Sequence, residues 1–404
     1  MRDIDAFDFE QRFSRLEALL YSHQHLWRSN PFHDSALDAP SWITQAPQFY
    51  DFILGLSYDQ VLAYKSDTQA LIKDATPYLG TCTQLSELTS LTSLVAVNTV
   101  ETHFSGGIPG RKWQQISSFA DAINADSETR PWLEWCAGKG FLGRVLSARS
   151  HQHVTSIEYQ SVLCELGEQE ALSLQLPMTF VNLDVFEAKI EKHIHSEHHA
   201  VALHACGDLH VRLVELAAKH QVSALSFSPC CYHLIKGDCY RPLSQLGRRS
   251  CLRLSKQDLR IPLQQTVTGG QRVSHARQQE MTYRLGLDLI WRDAGSTTYV
   301  PVPSIKKSQL NDGFEAFCRW ASREKAIPLL DVDFDDYLQR GMQRFFQMER
   351  LSLSQQIFQR ALELWLVLDK VLFLEQHGYR IEMSHFCNYQ TTPRNILVKA
   401  VLEN

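Results

Sequence analysis

The chain is expected to be an α/β protein built on a doubly wound sheet, with five parallel strands followed by a terminal antiparallel hairpin. An N-terminal helical domain precedes the sheet, and an insertion separates the fifth strand from the last helix. Three observations predict this. Between Pro131 and Cys231 short apolar runs alternate strictly with helical stretches, a pattern that implies parallel pairing and right-handed crossovers. The first of those runs meets a glycine-rich turn that opens a helix. The last two runs, "YRIEMSHF" and "NILVKAVLE", are joined by about eight residues, too few for anything but an antiparallel return.

Taken in order, residues 1–105 read as the helical domain. "FEQRFSRLEALLYSHQHLW" sets Phe13, Leu16, Leu19 and Leu20 on one helical face. "SNPFHDSALDAPSW" breaks the pattern, and "PQFYDFILGL" and "TQALIKDATPYL" resume it. "ETHFSGGIPGRKW" reads as a linker, and "QQISSFADAI" as a helix leading into the sheet domain. Residues 106–234 form the first part of that domain. Its strands are "WLEWC", "HVTSIE", "MTFVNLDV", "HAVALHAC" and "VSALSFSPC", and its helices begin at "KGFLGRVLSARS", "SVLCELGEQEALSLQL" and "LHVRLVELAAKH". Residues 235–350 read as a basic insertion. Within it "TVTGGQRVSHARQQEMTYR" is polar and loop-like, while "GFEAFCRWASREK" and "DDYLQRGMQRFFQMERL" are helical. Residues 351–404 return to the sheet domain with the apolar helix "SLSQQIFQRALELWLVLDKVLFLEQ" and the hairpin.

Composition bounds the class. With 404 residues, 44% hydrophobic and 21% charged, the chain can bury a full core without staples. No apolar run is long enough to span a bilayer, and "MRDIDAFDFEQRF" does not read as a signal peptide. Ten scattered cysteines then read as reduced thiols, so a cytoplasmic protein without a membrane partner is expected. Charge is uneven. Residues 1–100 carry six Lys/Arg against twelve Asp/Glu, whereas residues 241–292 carry ten against three. The second stretch is a candidate surface for a polyanion.

Gly138, Gly140 and Gly143 satisfy G-x-G-x-x-G between a strand and a helix, the setting in which a nucleotide-like ligand meets helix amides. Three acids end or occupy the successive strands. Glu134 lies before the glycines, where a pyrophosphate would be repelled and a cationic amino group welcomed. Glu158 ends the second strand, where a carboxylate accepts ribose hydroxyls. Asp184 ends the third, beside the adenine position. The three fit S-adenosylmethionine better than NAD. An NAD-dependent oxidoreductase and a non-catalytic adaptor remain the rival classes.

Four stretches, "WCAGKGFLGR", "VALHACGDL", "FSPCCYHL" and "DKVLFLEQHGYRIEM" with "TTPRNILVKA", resemble the class I S-adenosylmethionine-dependent methyltransferases, whose fold is Rossmann-like. More narrowly, they resemble the subgroup that includes the methyltransferase-like domain of the glutathione-S-transferase C-terminal-domain-containing protein. The likeness covers residues of about 110–235 and 355–404. It implies a cofactor site at Glu134, Cys136, Gly138, Gly140, Glu158 and Asp184, with Cys136 standing where many such enzymes have glycine or alanine. Eukaryotic tRNA 2′-O-methyltransferases carry a similar pair of motifs, which makes RNA the expected partner by analogy.

Chemistry in an open parallel sheet lies outside the carboxyl ends of the strands. There the candidates are His204 and Asp208 after the fourth strand, and Cys230, Cys231 and His233 after the fifth. A cysteine nucleophile, a histidine base and a pocket-lining role are all open for them. No metal is expected. His204, Cys206, Cys230, Cys231, His233 and Cys239 keep no C-x-x-C spacing, and adjacent cysteines rarely share an ion. The run His193, His195, His198, His199 reads as a solvated connection. Arg111 and Lys112, with Arg248, Arg249 and Arg253, are the expected basic rim for an RNA substrate.

Overall fold

A computed structural model describes residues 8–94, 106–264, 271–329 and 331–403. The chain forms two compact units. One comprises Met1–Tyr21, Glu87–Gln264 and Arg360–Asn404; the other comprises Ser22–Ser86 and Gln265–Gln359. The sheet belongs to the first. Its strands are β1 (Thr92–Ser93), β2 (Trp132–Trp135), β3 (Val154–Glu158), β4 (Met178–Asn182), β5 (His199–Cys206), β6 (Ala224–Cys230), β7 (Tyr379–His385) and β8 (Ile396–Leu402). They pair in the order β1-β7-β8-β6-β5-β2-β3-β4, and β8 alone runs antiparallel to its neighbours. This is the doubly wound α/β sheet expected, with one addition: the two-residue edge strand β1, too short to carry a period.

From β2 the chain winds outward through β3 to β4; from β5 it winds the other way to β6. Right-handed crossovers in opposite directions put helices on opposite faces. On one face Phe141–Ser150 and Gly110–Ala122 press Leu142, Leu146, Ile116 and Phe119 onto Trp132, Val154 and Val201. The helix Gly110–Ala122 starts several residues earlier than "QQISSFADAI", inside the stretch read as a linker; residues 101–105 of that stretch lie outside the described residues. The helix Asp208–Lys219 lies against β5 and β6. The phenol of Tyr379 donates to the carbonyls of Ala217 and Val222, tying the hairpin to the end of that helix.

The second unit is helical. Pro47–Leu54, Tyr58–Ser66 and Thr68–Ala75 come from its first segment, and Gln271–Asp293 and Phe314–Lys325 from its second. Two readings are corrected here. "QRVSHARQQEMTYR" is helix and not loop, while residues 266–270 lie outside the described residues. Its polar composition hides the helix, but Arg277 pairs with the buried Glu349, and Arg284 with Glu280 one turn away. The two helices read around residue 350 are one, Phe334–Glu375, and Arg360 is where it passes into the first unit's segment. Gly286 and Gly341 let this helix cross Gln271–Asp293 closely; a Cβ on Gly341 would lie 2.9 Å from the Cα of Gly286.

Candidate active site at the sheet switch point

The winding direction reverses between β2 and β5, so the ligand crevice of such a sheet lies at their carboxyl ends. The backbone there is unusual. Cys136, His204 and Cys231, directly after β2, within β5 and directly after β6, have φ of +55°, +73° and +47°. Non-glycine residues held in the left-handed region cost energy and gather at functional sites. In β5 the register slips by one residue between Leu203 and Cys206, so His204 and Ala205 together face one residue of β6, and His204 takes an exposed position.

The three glycines of the turn do three different jobs. Gly138 has φ +59° and nothing within 4 Å of where a Cβ would be, which leaves its surface open to a ligand. Gly140 has φ +68°, and a Cβ there would lie 2.5 Å from the Phe180 ring. Gly143 sits over Glu134, whose Oε2 would be 2.4 Å from an added Cβ. The sequence alone does not separate these roles.

Asp184 is exposed, whereas Glu158 is 6% exposed and both of its carboxylate oxygens are held by backbone amides. The amide of Gly138 donates to Glu158 Oε2 at 3.0 Å, and that of Gln160 donates to its Oε1 at 3.0 Å. The amide of Phe186 donates to Asp184 Oδ1 at 2.9 Å. Burial pushes the Cys136 thiol up to about 12, and the neighbouring Glu158, Cys206 and Asp184 add to the effect. Cys136 therefore feels the charges of groups at the ends of β3 and β5 and just beyond β4. Beside the two acids, Tyr159 and Phe186 are exposed at 67% and 54%, large rings with no core to fill.

Glu134, like Glu158, is buried. It is 4% exposed, and its Oε2 accepts from Ser156 Oγ at 2.7 Å and from the amide of Gly143. Burial raises its pKa to about 7; these two hydrogen bonds, Arg144 and Lys112 pull it down. Lys112, expected on an outer rim, belongs to this cluster. Its ammonium lies 4.6 Å from the centroid of Phe141, as does the Arg144 guanidinium, and it also acts on His204. Lys112 and its neighbour Arg111 are both exposed.

The strand-end candidates divide. Partial desolvation by the surrounding strand ends lowers the His204 pKa even though the residue reaches solvent, and the charge of Lys112 lowers it further. Asp208 is committed: its Oδ2 accepts from the amide of Lys236 at 2.7 Å, while its own amide donates to the carbonyl of Leu234. Cys206 and Cys230 are cross-strand partners with sulfurs 3.3 Å apart, and the Cys231 sulfur joins them. Hydrogen bonds from Cys206 and Cys230 hold the Cys231 thiol below the usual thiol range. His233, two residues on, carries a buried Nδ1 without a hydrogen-bond partner. Arg248 and Arg249 end the short helix Gln245–Arg249, which Arg253 follows; all three are exposed, on a segment packed against the last helix and not on a strand end.

One group of residues went unnoticed in the sequence. His199 Nδ1 lies 2.5 Å from Glu128 Oε2, and its Nε2 lies 2.9 Å from Ser226 Oγ. The ring stacks on Trp132 at 4.5 Å. His198 and His199 are each 5% exposed, which corrects the reading of their run as solvated; His195 is exposed as expected. Two clefts of about 410 and 330 Å³ lie along the β7–β8 side of the sheet, and this relay lines the second. Glu158, Asp184 and the left-handed Cys136, His204 and Cys231 lie elsewhere, at the carboxyl ends of the strands.

Residues 111–238 match the family model of a methyltransferase domain. The matched segment contains the glycine turn, all three acids, the bulge and the cysteine cluster. Among solved structures, the tRNA (uracil-54, C5)-methyltransferase of Pyrococcus abyssi, in complex with S-adenosyl-L-homocysteine, is similar over 29% of this chain and 28% of that chain, at 17% identity and a TM-score of 0.24. No curated protein matches the chain.

Proposed function

We propose that the chain is an S-adenosylmethionine-dependent methyltransferase with RNA as its acceptor. The observation that carries the reading is the convergence of Gly138, Glu158, Asp184 and Cys136 on one crevice inside the segment that matches a methyltransferase domain. The residues fit the cofactor. Gly138 leaves the backbone open, Glu158 offers a carboxylate to ribose hydroxyls, and Asp184 stands beside the exposed rings of Tyr159 and Phe186, a polar and apolar pair suited to adenine. Lys112 offers a cation to the carboxylate of the methionine moiety, beside the Glu134 acid.

The bound cofactor supplies an electrophilic methyl group on a sulfonium. The chain's own contribution is to hold an acceptor in line with it and to keep water out. Where the acceptor is a hydroxyl, it must lose a proton. His204 suits that task, because its lowered pKa leaves the ring neutral at pH 7 and the bulge exposes it at the strand end. The exposed Arg241, Arg248, Arg249, Arg253 and Arg260 support a polyanionic acceptor.

The test is calorimetry with S-adenosylhomocysteine and with NAD, followed by radiolabelled methyl transfer to RNA, protein and small-molecule fractions. Binding of S-adenosylhomocysteine alone and label in RNA, lost in His204→Ala, are expected. Binding of NAD alone overturns the cofactor, and label confined to protein overturns the acceptor.

A further inference from the structure

The sulfurs of Cys206, Cys230 and Cys231 all lie within 4.8 Å of one another, although the cysteines come from two strands and two of them are adjacent in sequence. Two backbone irregularities bring them together. Successive side chains of a strand point to opposite faces. The left-handed turn at Cys231 breaks that alternation, so that Cys230 and Cys231 share one side. The bulge at His204 and Ala205 shifts β5 so that Cys206 falls opposite Cys230.

A tetrahedral zinc ion with Zn–S bonds of about 2.3 Å holds its sulfurs about 3.8 Å apart. One pair here is 3.3 Å apart and every pair lies within 4.8 Å, a range that includes that value. Thiolates are soft ligands and select zinc over hard cations. The surroundings favour such an ion. Three thiolates with a divalent cation leave one net negative charge, and Arg394 acts electrostatically on Cys231. His233, which also acts on Cys231, has an uncommitted buried nitrogen.

We propose that Cys206, Cys230 and Cys231 bind a thiophilic divalent cation of the zinc class at the carboxyl ends of β5 and β6. Adjacent cysteines count against such a site in sequence; the sheet register supplies the third ligand that changes the balance. The ion pins the bulge to the end of β6 and so sets the strand ends that border the crevice. The site does not depend on the methyltransferase reading.

The experiment loads the untagged full chain with cobalt(II) and, separately, measures its zinc content as purified. The expected result is an intense sulfur-to-cobalt charge-transfer band, with bound metal of about one equivalent per chain, displaced by zinc and released by an organomercurial. Cys206→Ser and Cys231→Ser each reduce bound metal to near none, while Cys251→Ser, at an exposed cysteine outside the cluster, retains it. Calorimetry with S-adenosylhomocysteine is run in parallel on the wild-type chain, so a loss of cofactor binding and a loss of metal binding are read apart. If the cysteine variants do not fold, the wild-type spectrum decides. Absence of the charge-transfer band overturns the proposal, as does a band unchanged in folded Cys206→Ser. A Cys206–Cys230 disulfide as the chain's only resting form does so too.

Discussion

Gly143 lies directly over the Glu134 carboxylate, so close that a methyl group there would stand 2.4 Å from Oε2 and 2.8 Å from the Met178 Cε. Met178 is able to move; Glu134 is held by Ser156 Oγ and by the Gly143 amide itself. Gly143→Ala therefore pushes the helix Phe141–Ser150 away from β2 and tilts the turn that presents Gly138. The expected cost is about 1–3 kcal/mol of stability, as for other over-packed sites, with weakened binding of S-adenosylhomocysteine. Urea unfolding and calorimetry measure both. Gly138→Ala, with open space at its Cβ, serves as the contrast: its cost comes from φ +59° alone.

Acid weakens the sheet unit, and the sign follows from four histidines. Burial lowers the pKa of His198 to about 4 and of His210 to about 3, with His195 and Lys370 respectively adding to it. Burial and then Arg360 lower His385 to about 4, and burial lowers His199 despite Glu128. For each ring the unfolded chain takes up the proton first as pH falls below 6.5. Stability then falls by about 1.4 kcal/mol per histidine per pH unit until the folded pKa is reached. Glu134 opposes this: its raised pKa adds stability as pH falls from about 7 towards 4.5, but it is one group against four. Melting followed at about pH 7.5, 6.5 and 5.5 is expected to show a steep fall below 6.5. A flat profile overturns the account.

Much of this fold was legible in the sequence, because strand and helix periods are local. The "VTSIE" strand and the Asp208–Lys219 helix were read almost to the residue. The antiparallel hairpin followed from its short connection, but the insertion of β8 between β6 and β7 did not, since strand order is set by distant contacts. The site shows the same division. Glu158 and Asp184 could be found because each ends a strand. The meeting of Cys206 with Cys230 could not, because a bulge has no signature in "LHACGD". Lys112 stood in a basic dipeptide that looked like surface, and its place near Glu134 depends on how Gly110–Ala122 packs. Glu128, His199 and Ser226 lie far apart in sequence, and only the pairing of β5 with β6 brings the last two together.

Glu158 is the acid whose loss is expected to harm cofactor binding most. Glu158→Gln keeps the shape and one acceptor oxygen but removes the charge offered to ribose hydroxyls. Hydrogen bonds to a charged group are worth about 1.5–3 kcal/mol, so affinity for S-adenosylhomocysteine is expected to fall by about ten- to a hundredfold. Calorimetry reads this directly. Affinity unchanged in a folded variant places the ribose elsewhere.

The basic segment depends on one buried carboxylate. Asp369 is fully buried and accepts four hydrogen bonds: from the amides of Leu243 and Ser244, the hydroxyl of Ser244 and the phenol of Tyr240. Lys370, lowered to about 8 by burial, donates to the same phenol. Asp369→Ala leaves four buried donors without their acceptor, at an expected cost of about 3–5 kcal/mol, most of it local to residues 240–249. Limited trypsin digestion distinguishes local from global loss. Cleavage at the exposed Arg248 and Arg249 is expected to accelerate well before the sheet loses its protection from hydrogen exchange. If the segment then fails to hold RNA while S-adenosylhomocysteine still binds, its arginines belong to the acceptor surface and not to the cofactor site.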